Sequence, residues 1–529
     1  MKPLLKPSGL PPVSLRLFII VLLAIGIFFR FANIDRKIYW HDEAFTSLRI
    51  SGYTIAEMVR DVIDKREVDI KYLQKYQNLK PESRLIDTLN SLAIEDPQHP
   101  PFYYVIARLW LQWLGNSVGA IRSLTACISL LLFPCVYWLC LELFASHLVG
   151  WVAVGLFAVS PVHVLFAQEA REYCLWTVTI LLSSAALLRG LRLNNLISWG
   201  IYAITLALSL YTFLLSGVVA VGHAIYVVFY ERLRLTRRAI AYLLASLTGV
   251  LIFIPWLVTT LLNFSMLQAT TGWTSLTVPN SILIQKWILH ISRIFFDLDI
   301  DVNRGFTTYL PMFAVIIFIV LYSFYFICRT SPQRVWLFIF TLFGTTALFL
   351  IVPDLIKGGQ RSIVPRYLFP CYLAIQLAVA YLLATKITST SFWQQKWQLI
   401  MVMLLSGGVI SCLVSSQAQT WWIKDISYNN PQIANLINQT THPLLIGYAG
   451  CSNNGNLISL SYLLQPKVRL QFVVEPNLPQ LSDRKSDVFL FGECSERSRA
   501  RLENERGYKL EPILQSFWQI KNWQNRKEE

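Results

Sequence analysis

Asp42 and Glu43 stand side by side in Tyr39-Trp40-His41-Asp42-Glu43-Ala44-Phe45-Thr46, directly after the first apolar run of the chain. Two neighbouring carboxylates repel, so one of them tends to hold its proton more tightly and can serve as a base. His41 is placed to tune that base or to bind an acceptor. The alternative reading is a solvated loop whose charges only mark the edge of a membrane. Polar residues gather again in Asp96-Pro97-Gln98-His99-Pro100-Pro101, in Gln168-Glu169-Ala170-Arg171-Glu172-Tyr173, and around Lys357, Arg361, Arg366 and Tyr367. Asp96 and His99 are candidate ligands for a divalent cation shared with Asp42, of a kind that suits Mn²⁺ or Zn²⁺ better than Mg²⁺. His-Pro-Pro is also a good helix start, because Pro is tolerated in the first turn, and that reading is favoured. Nothing in the sequence requires a cofactor.

These residues must be positioned by membrane helices. Of 529 residues, 54% are hydrophobic and 15% are charged, and the mean hydropathy is +0.47. Soluble proteins carry about a quarter charged residues, so the composition is that of a polytopic membrane protein. The net charge of +15 does not point to nucleic acid. Much of it lies in short basic loops beside apolar runs, the pattern of positive-inside topology. Lys2, Lys6 and Arg16 precede an apolar run that lacks a small-residue cleavage site, which predicts an uncleaved signal anchor with a cytoplasmic N-terminus.

Eleven spans are predicted, at 15–33, 118–144, 148–166, 171–192, 196–213, 214–231, 239–261, 307–328, 334–353, 366–386 and 397–416. A span needs about 20 residues, so the apolar stretch 100–114 reads as an interfacial or re-entrant helix. With that count the loops 189–195, 231–238, 329–334 and 386–396 are cytoplasmic. All carry Arg or Lys, and Glu231 is the only acid among them. The loops 34–100 and 262–306 then face out. The first holds two short helices, near 54–66 and 82–94. The second holds an amphipathic stretch at 281–296 suited to the membrane surface. From 421 to 529 the composition becomes soluble, with strands at 443–448, 468–474 and 487–491 and helices at 431–438 and 496–505. That alternation predicts a small α/β domain on the outer side. Cys451 and Cys494 lie in it and would pair in an oxidising compartment or remain free thiols.

On this topology the polar stretches share one face of the membrane, whereas the middles of the spans are almost free of charge. Ion-coupled transporters tend to place ionisable residues and broken helices near the bilayer midplane. The distribution suits an enzyme whose substrate keeps a lipid tail in the bilayer and a polar head at the outer surface.

Four motifs in order carry a family resemblance: WHDEAFT after the first span, DPQHPPFYY, SPVHVLFAQEAREY and RSIVPRYLFP. Together with the eleven-span layout the chain resembles glycosyltransferase family 39 of the GT-C superfamily, which includes protein O-mannosyltransferases and bacterial lipid A aminoarabinose transferases. The resemblance covers roughly residues 15–416, the expected catalytic module within 1–416. It implies a polyprenyl-phosphate sugar as donor, inversion at the anomeric carbon, and Asp42 as the catalytic base.

The chemistry of the residues agrees. A base must take the proton of an acceptor hydroxyl or amine as it attacks. Cations must meet the charge that develops on the leaving phosphate, and Arg does so with bidentate bonds. Arg366 and Arg361 are the first candidates, then Arg171 and Lys357, with Tyr367 as a hydrogen-bond donor. Arg366 reads alternatively as a membrane anchor at a helix end. Lys357 reads alternatively as a solvated charge, although Gly358 and Gly359 permit a loop that closes over substrate. Glu43 and Glu169 are further substrate-side candidates. Glu169 and Arg171 alternatively belong to a buried ion pair with Glu172 or Asp42. Expected partners are the donor lipid, the bilayer and an acceptor glycan, lipid or protein. The expected location is the plasma membrane, with the site on the periplasmic or extracellular side. Two other readings compete: a flippase for lipid-linked glycans, and a ligase or polymerase using a diphosphate-linked oligosaccharide.

Overall fold

The computed structural model describes residues 10–63, 67–389, 392–449, 454–474, 477–479, 487–492, 496–506, 508–514 and 516–522. They form two compact units. One comprises residues up to 34, 96–103 and 122–417; the other comprises 35–95, 104–121 and 418 onward. Cys451 and Cys494, and the pairing considered for them, lie outside the described residues.

The first unit is helical. Among the described residues eight helices are long and apolar enough to cross a membrane, and a ninth span is counted if His147–Ala158 and Pro161–Ala167 are taken together across their 60° bend. Two shorter apolar helices, Leu196–Thr212 and Ser216–Tyr230, occupy two further predicted segments. Short polar turns set the helix ends. Asn194 adopts a left-handed conformation (φ 47°) that ends helix Tyr173–Leu193. Asn195 Oδ1 then accepts the Ser198 N–H at 2.9 Å and starts the next helix. Thr236 caps Arg237–Leu262 in the same way, accepting from the Ala239 N–H at 3.2 Å. Arg192 holds Glu142 with two 2.8 Å bonds beside these turns.

The bend at Val159–Ser160 leaves carbonyls without helical partners, and a buried cation takes them up. Arg30 has no exposed surface and donates to the carbonyls of Ala158 (2.8 Å), Phe157 (3.2 Å) and Gly26 (2.8 Å). Close backbone approach makes this possible. A Cβ on Gly26 would lie 2.3 Å from the Ala158 oxygen, and one on Gly408 would lie 2.4 Å from the Val159 oxygen. Gln168, on the far side of the short helix, donates to the Phe29 and Ala32 carbonyls at 2.8 and 2.9 Å. The bend thus brings the 168–172 turn and the end of helix Val13–Phe31 together.

The second unit is built on a six-stranded sheet in the order β1-β3-β2-β4-β6-β5. The strands are β1 Val68–Asp69, β2 Pro443–Ala449, β3 Arg469–Val474, β4 Asp487–Phe491, β5 Tyr508–Leu514 and β6 Phe517–Asn522. β2 runs parallel to both β3 and β4, and the remaining pairs are antiparallel. Both faces of the central strands are covered, so their sequences are near-continuous apolar runs. Leu444 and Ile446 face a cluster with Val488, Leu490, Leu502 and Ile520. Leu445 faces the opposite cluster, with Leu470, Phe489 and Phe517. That second cluster also takes Leu48, Met58, Val62 and Leu73 from the loop after the first span. Full burial of each such side chain contributes about 1.5–3 kcal/mol. The loop after the first span and the C-terminal region therefore share one core, and β1 adds the loop's own edge strand through Val68↔Leu470 and Asp69↔Arg469. Asp69 ends that strand by capping the next helix, accepting the Tyr72 N–H at 2.7 Å. The helices predicted at 54–66 and 82–94 are Ile55–Ile63 and Leu85–Glu95. The stretch predicted as interfacial is the 13-residue helix Phe102–Leu114. Its buried Arg108 donates to the carbonyls of Ile50 and Ser83 at 2.8 Å each.

Candidate active site

The Asp42–Glu43 pair lies on a helix rather than a solvated loop. His41–Ile50 is helical and most of it is buried. At its start the Trp40 N–H donates to Glu43 Oε2 at 3.3 Å, which satisfies one orphan amide of the helix N-terminus. Both carboxylates sit in that turn, where the helix dipole favours negative charge. Their surroundings differ. Glu43 is fully buried and pairs with Lys424 Nζ at 3.2 Å. The Asp42 side chain is 13% exposed, with Oδ1 2.9 Å from His41 Nε2. Of the two, Asp42 is the carboxylate that reaches solvent. A carboxylate with an imidazole at hydrogen-bond distance is equipped to take a proton.

In the helical unit, the second and third motifs meet. Arg171 Nη2 donates to His99 Nε2 at 3.0 Å, to Glu172 Oε1 at 3.2 Å and to the Tyr173 hydroxyl at 3.2 Å. A guanidinium has only protons to give, so Nε2 must accept and the proton of a neutral His99 sits on Nδ1. That nitrogen is 3.1 Å from Asp96 Oδ1. Asp96, His99, Arg171 and Glu172 thus form one chain of polar contacts. Glu169 is buried beside them, 1% exposed, and its carbonyl accepts the Arg171 N–H at 2.8 Å. Of the two sequence readings for Arg171, the ion pair with Glu172 is present.

The fourth motif forms a tight loop after helix Gln333–Lys357. Lys357 is the exposed last residue of that helix. Gly358 (φ 77°) and Gly359 (φ 146°) turn the chain in conformations that disfavour side chains. Arg361 closes the turn, donating to Asp354 Oδ1 at 3.1 Å and to Ser275 Oγ at 2.5 Å. The buried Asp354 also accepts the Ser362 N–H at 2.7 Å. Arg366 and Tyr367 lie in the short turn Pro365–Leu368, ahead of the regular helix. The Arg366 guanidinium lies over two rings, 5.3 Å from the Trp273 centroid and 5.7 Å from that of Tyr367. His290 supports the loop from below by donating to the Ile363 carbonyl at 2.9 Å. Burial, and after it the nearby Arg293, holds its pKa well below the ordinary imidazole value.

Among the described residues no group of three or more His, Cys, Asp and Glu is arranged to hold a metal ion. Asp96 and His99 do touch, but the next neighbour of His99 is a guanidinium, a poor companion for a cation. Sequence reasoning missed Lys424 and Ser427. The His41 N–H donates to Ser427 Oγ at 3.2 Å, a partner 386 residues away. No local pattern signals such a contact.

Residues 98–258 match the family described as dolichyl-phosphate-mannose-protein mannosyltransferase. No curated protein matches the sequence. Two crystal structures of ArnT from Cupriavidus metallidurans, one bound to undecaprenyl phosphate and one in the apo state, are similar in fold. Each has TM-score 0.50 and 12% identity, covering 95% of this chain and 97% of that one. The fold likeness reaches beyond 15–416, the extent of the sequence resemblance. Residues 98–258 of this integral membrane protein thus resemble a family of GT-C membrane glycosyltransferases, and the chain has an ArnT-like, mostly helical fold with a small C-terminal sheet.

Proposed function

We propose that the protein is an inverting membrane glycosyltransferase that moves a sugar from a polyprenyl-phosphate donor to an acceptor hydroxyl or amine at the outer membrane face. The observation that carries this reading is Asp42, a part-exposed carboxylate on the first turn of a buried helix. The chain that holds it is similar in fold to a structure bound to undecaprenyl phosphate. Asp42 takes the proton of the acceptor as the acceptor attacks the anomeric carbon. The bond from that carbon to the phosphate oxygen breaks, and polyprenyl phosphate leaves. Arg366 is the first cation for the leaving phosphate, with Arg171 and Lys357 as further candidates and Tyr367 as a donor. The pairings of Glu43 with Lys424 and of Arg361 with Asp354 give those two residues supporting roles. Residues 1–416 form the catalytic module and 421–529 an outer domain, with the N-terminus cytoplasmic.

The test is turnover by the purified protein in lipid, offered a panel of polyprenyl-phosphate sugars, with free polyprenyl phosphate and the product anomer measured. Wild type releases polyprenyl phosphate from one donor and forms the inverted product, while Asp42→Asn folds and releases none. Retained turnover in Asp42→Asn removes the base assignment. Release of a diphosphate, or movement of intact donor across vesicles without cleavage, replaces the reading with one of its competitors.

A further inference from the structure

The C-terminal region carries no catalytic motif, yet its first turn is built against the helix that bears Asp42. Lys424 is 1% exposed, and its Nζ lies 3.2 Å from Glu43 Oε2, the same oxygen that accepts the Trp40 N–H. The next residue, Asp425, has φ 41° and ψ −117°, a conformation outside the helical turn Trp422–Ser427 that surrounds it. A residue other than glycine held in such a conformation costs about 1–3 kcal/mol and persists only where its surroundings require it. Ser427 accepts the His41 N–H and itself donates to Asn456 Oδ1 at 2.6 Å. Asn430 donates to the same oxygen at 2.9 Å. Gly455 completes the seat, for a Cβ there would lie 2.7 Å from the Phe45 ring and 2.9 Å from the His41 carbonyl oxygen.

A fully buried ion pair is seldom a net source of stability, because removing two charges from water costs about as much as their attraction returns. Its best-attested use is to set register. Successive residues of a helix are turned by about 100° around its axis, so fixing Glu43 fixes the direction of Asp42. We propose that Lys424 is a positioning residue: by pairing with Glu43 it sets the rotation of helix His41–Ile50, and so the direction in which Asp42 presents its carboxylate. This rests on the reading of Asp42 as the base.

The test uses the full chain in lipid nanodiscs, with Lys424→Met, Lys424→Arg and the double variant Glu43→Gln/Lys424→Met. Amide hydrogen exchange and donor kinetics are measured on each. In Lys424→Met the amides of residues 41–50 exchange about tenfold faster while those of β2 and β3 keep their protection. The kcat falls about tenfold or more with KM for donor held within about twofold, and Lys424→Arg recovers most of the loss. Wild-type exchange with kcat within about twofold of wild type overturns the proposal, as does equal loosening of helix and strands. If Lys424→Met fails to fold because it strands the Glu43 charge, the double variant removes that charge. It is expected to fold and stay slow, and full recovery of kcat in it overturns the proposal. If wild type turns over no polyprenyl-phosphate sugar, the glycosyltransferase reading falls by itself, and the exchange results still decide whether Lys424 sets the helix.

Discussion

Arg171 and His99, 72 residues apart in the sequence, meet at 3.0 Å, and the guanidinium that touches the imidazole also holds the fully buried Glu172. Arg171 is thus the cationic partner of a carboxylate with no exposed surface. Truncation of one partner of such a pair leaves an uncompensated charge. Arg171→Ala is expected to destabilise the protein by about 3–5 kcal/mol. Adding Glu172→Gln removes the stranded charge and should return most of the stability. Thermal unfolding in detergent checks this as a double-mutant cycle. Turnover then separates the two readings of Arg171. A double variant that is stable but slow leaves Arg171 a part in catalysis, and one that is stable and fast confines it to the ion pair.

The bend between His147–Ala158 and Pro161–Ala167 supplies a second expectation. Gly26 and Gly408 approach the backbone oxygens of Ala158 and Val159 so closely that a methyl group cannot fit without moving a helix. Gly26→Ala and Gly408→Ala should each cost about 1–3 kcal/mol by overpacking. Gly200→Ala, where a Cβ would meet nothing within 4 Å, should be neutral or slightly stabilising. Midpoints of thermal unfolding in one detergent rank the three. Equal losses at all three positions would show that close approach at the bend is not what matters.

How much of this was legible in the sequence follows from how local each signal is. The apolar spans and the runs 443–448, 468–474 and 487–491 were readable, because composition and burial agree along a single segment. The helix at His41–Ile50 was not. It lacks a Ser, Thr, Asp or Asn at its start, and Trp40 stands there instead. The two-residue strand Val68–Asp69 is too short to show a period, and only its partner Leu470 makes it a strand. The partner of Arg361 is hidden for a related reason. A cation on a glycine-rich loop reads as available to phosphate, and no local pattern signals its pairing with the buried Asp354. Lys424 lies where the composition becomes soluble, and nothing local marks it as buried. Its burial against Glu43 depends on a fold that joins residues 381 apart.

His290 gives the stability of the helical unit a pH dependence of definite sign. Its folded-state pKa is lowered by burial first and by Arg293 next, with Lys286 acting in the same direction and Asp301 and the Ile363 carbonyl against. Above the unfolded imidazole value of about 6.5 both states are neutral and the contribution is fully present. Below it the unfolded chain takes a proton that the folded chain refuses, so stability falls as the pH falls, by up to about 1.4 kcal/mol per pH unit. His290→Gln keeps a donor for the Ile363 carbonyl and has nothing to titrate. Unfolding midpoints between pH 7.5 and 5 should drop less steeply in this variant than in wild type. Parallel slopes would show that His290 takes up its proton without unfolding.

Arg361 and Arg366 lie on the same loop but should fail differently. Arg361 is bound to Asp354 and Ser275, and removing it strips the ion-pair partner from a buried carboxylate that also accepts the Ser362 N–H. Arg361→Ala should therefore lower the unfolding midpoint and, by loosening the turn, raise KM for donor. Arg366 lies over Trp273 and Tyr367, contacts worth about 0.5–1 kcal/mol at a part-exposed site. Loss of these ring contacts in Arg366→Ala should cost about 0.5–1 kcal/mol of stability. If its guanidinium meets the leaving phosphate, kcat falls about 10²–10³-fold, the scale of removing one donor to a developing oxyanion. Lys in its place keeps the charge but not the planar fork, and should recover only part of the rate. Unfolding midpoints and release of polyprenyl phosphate, measured on the same preparations, give both axes. An Arg366→Ala variant that loses stability and keeps its rate would exchange the two roles.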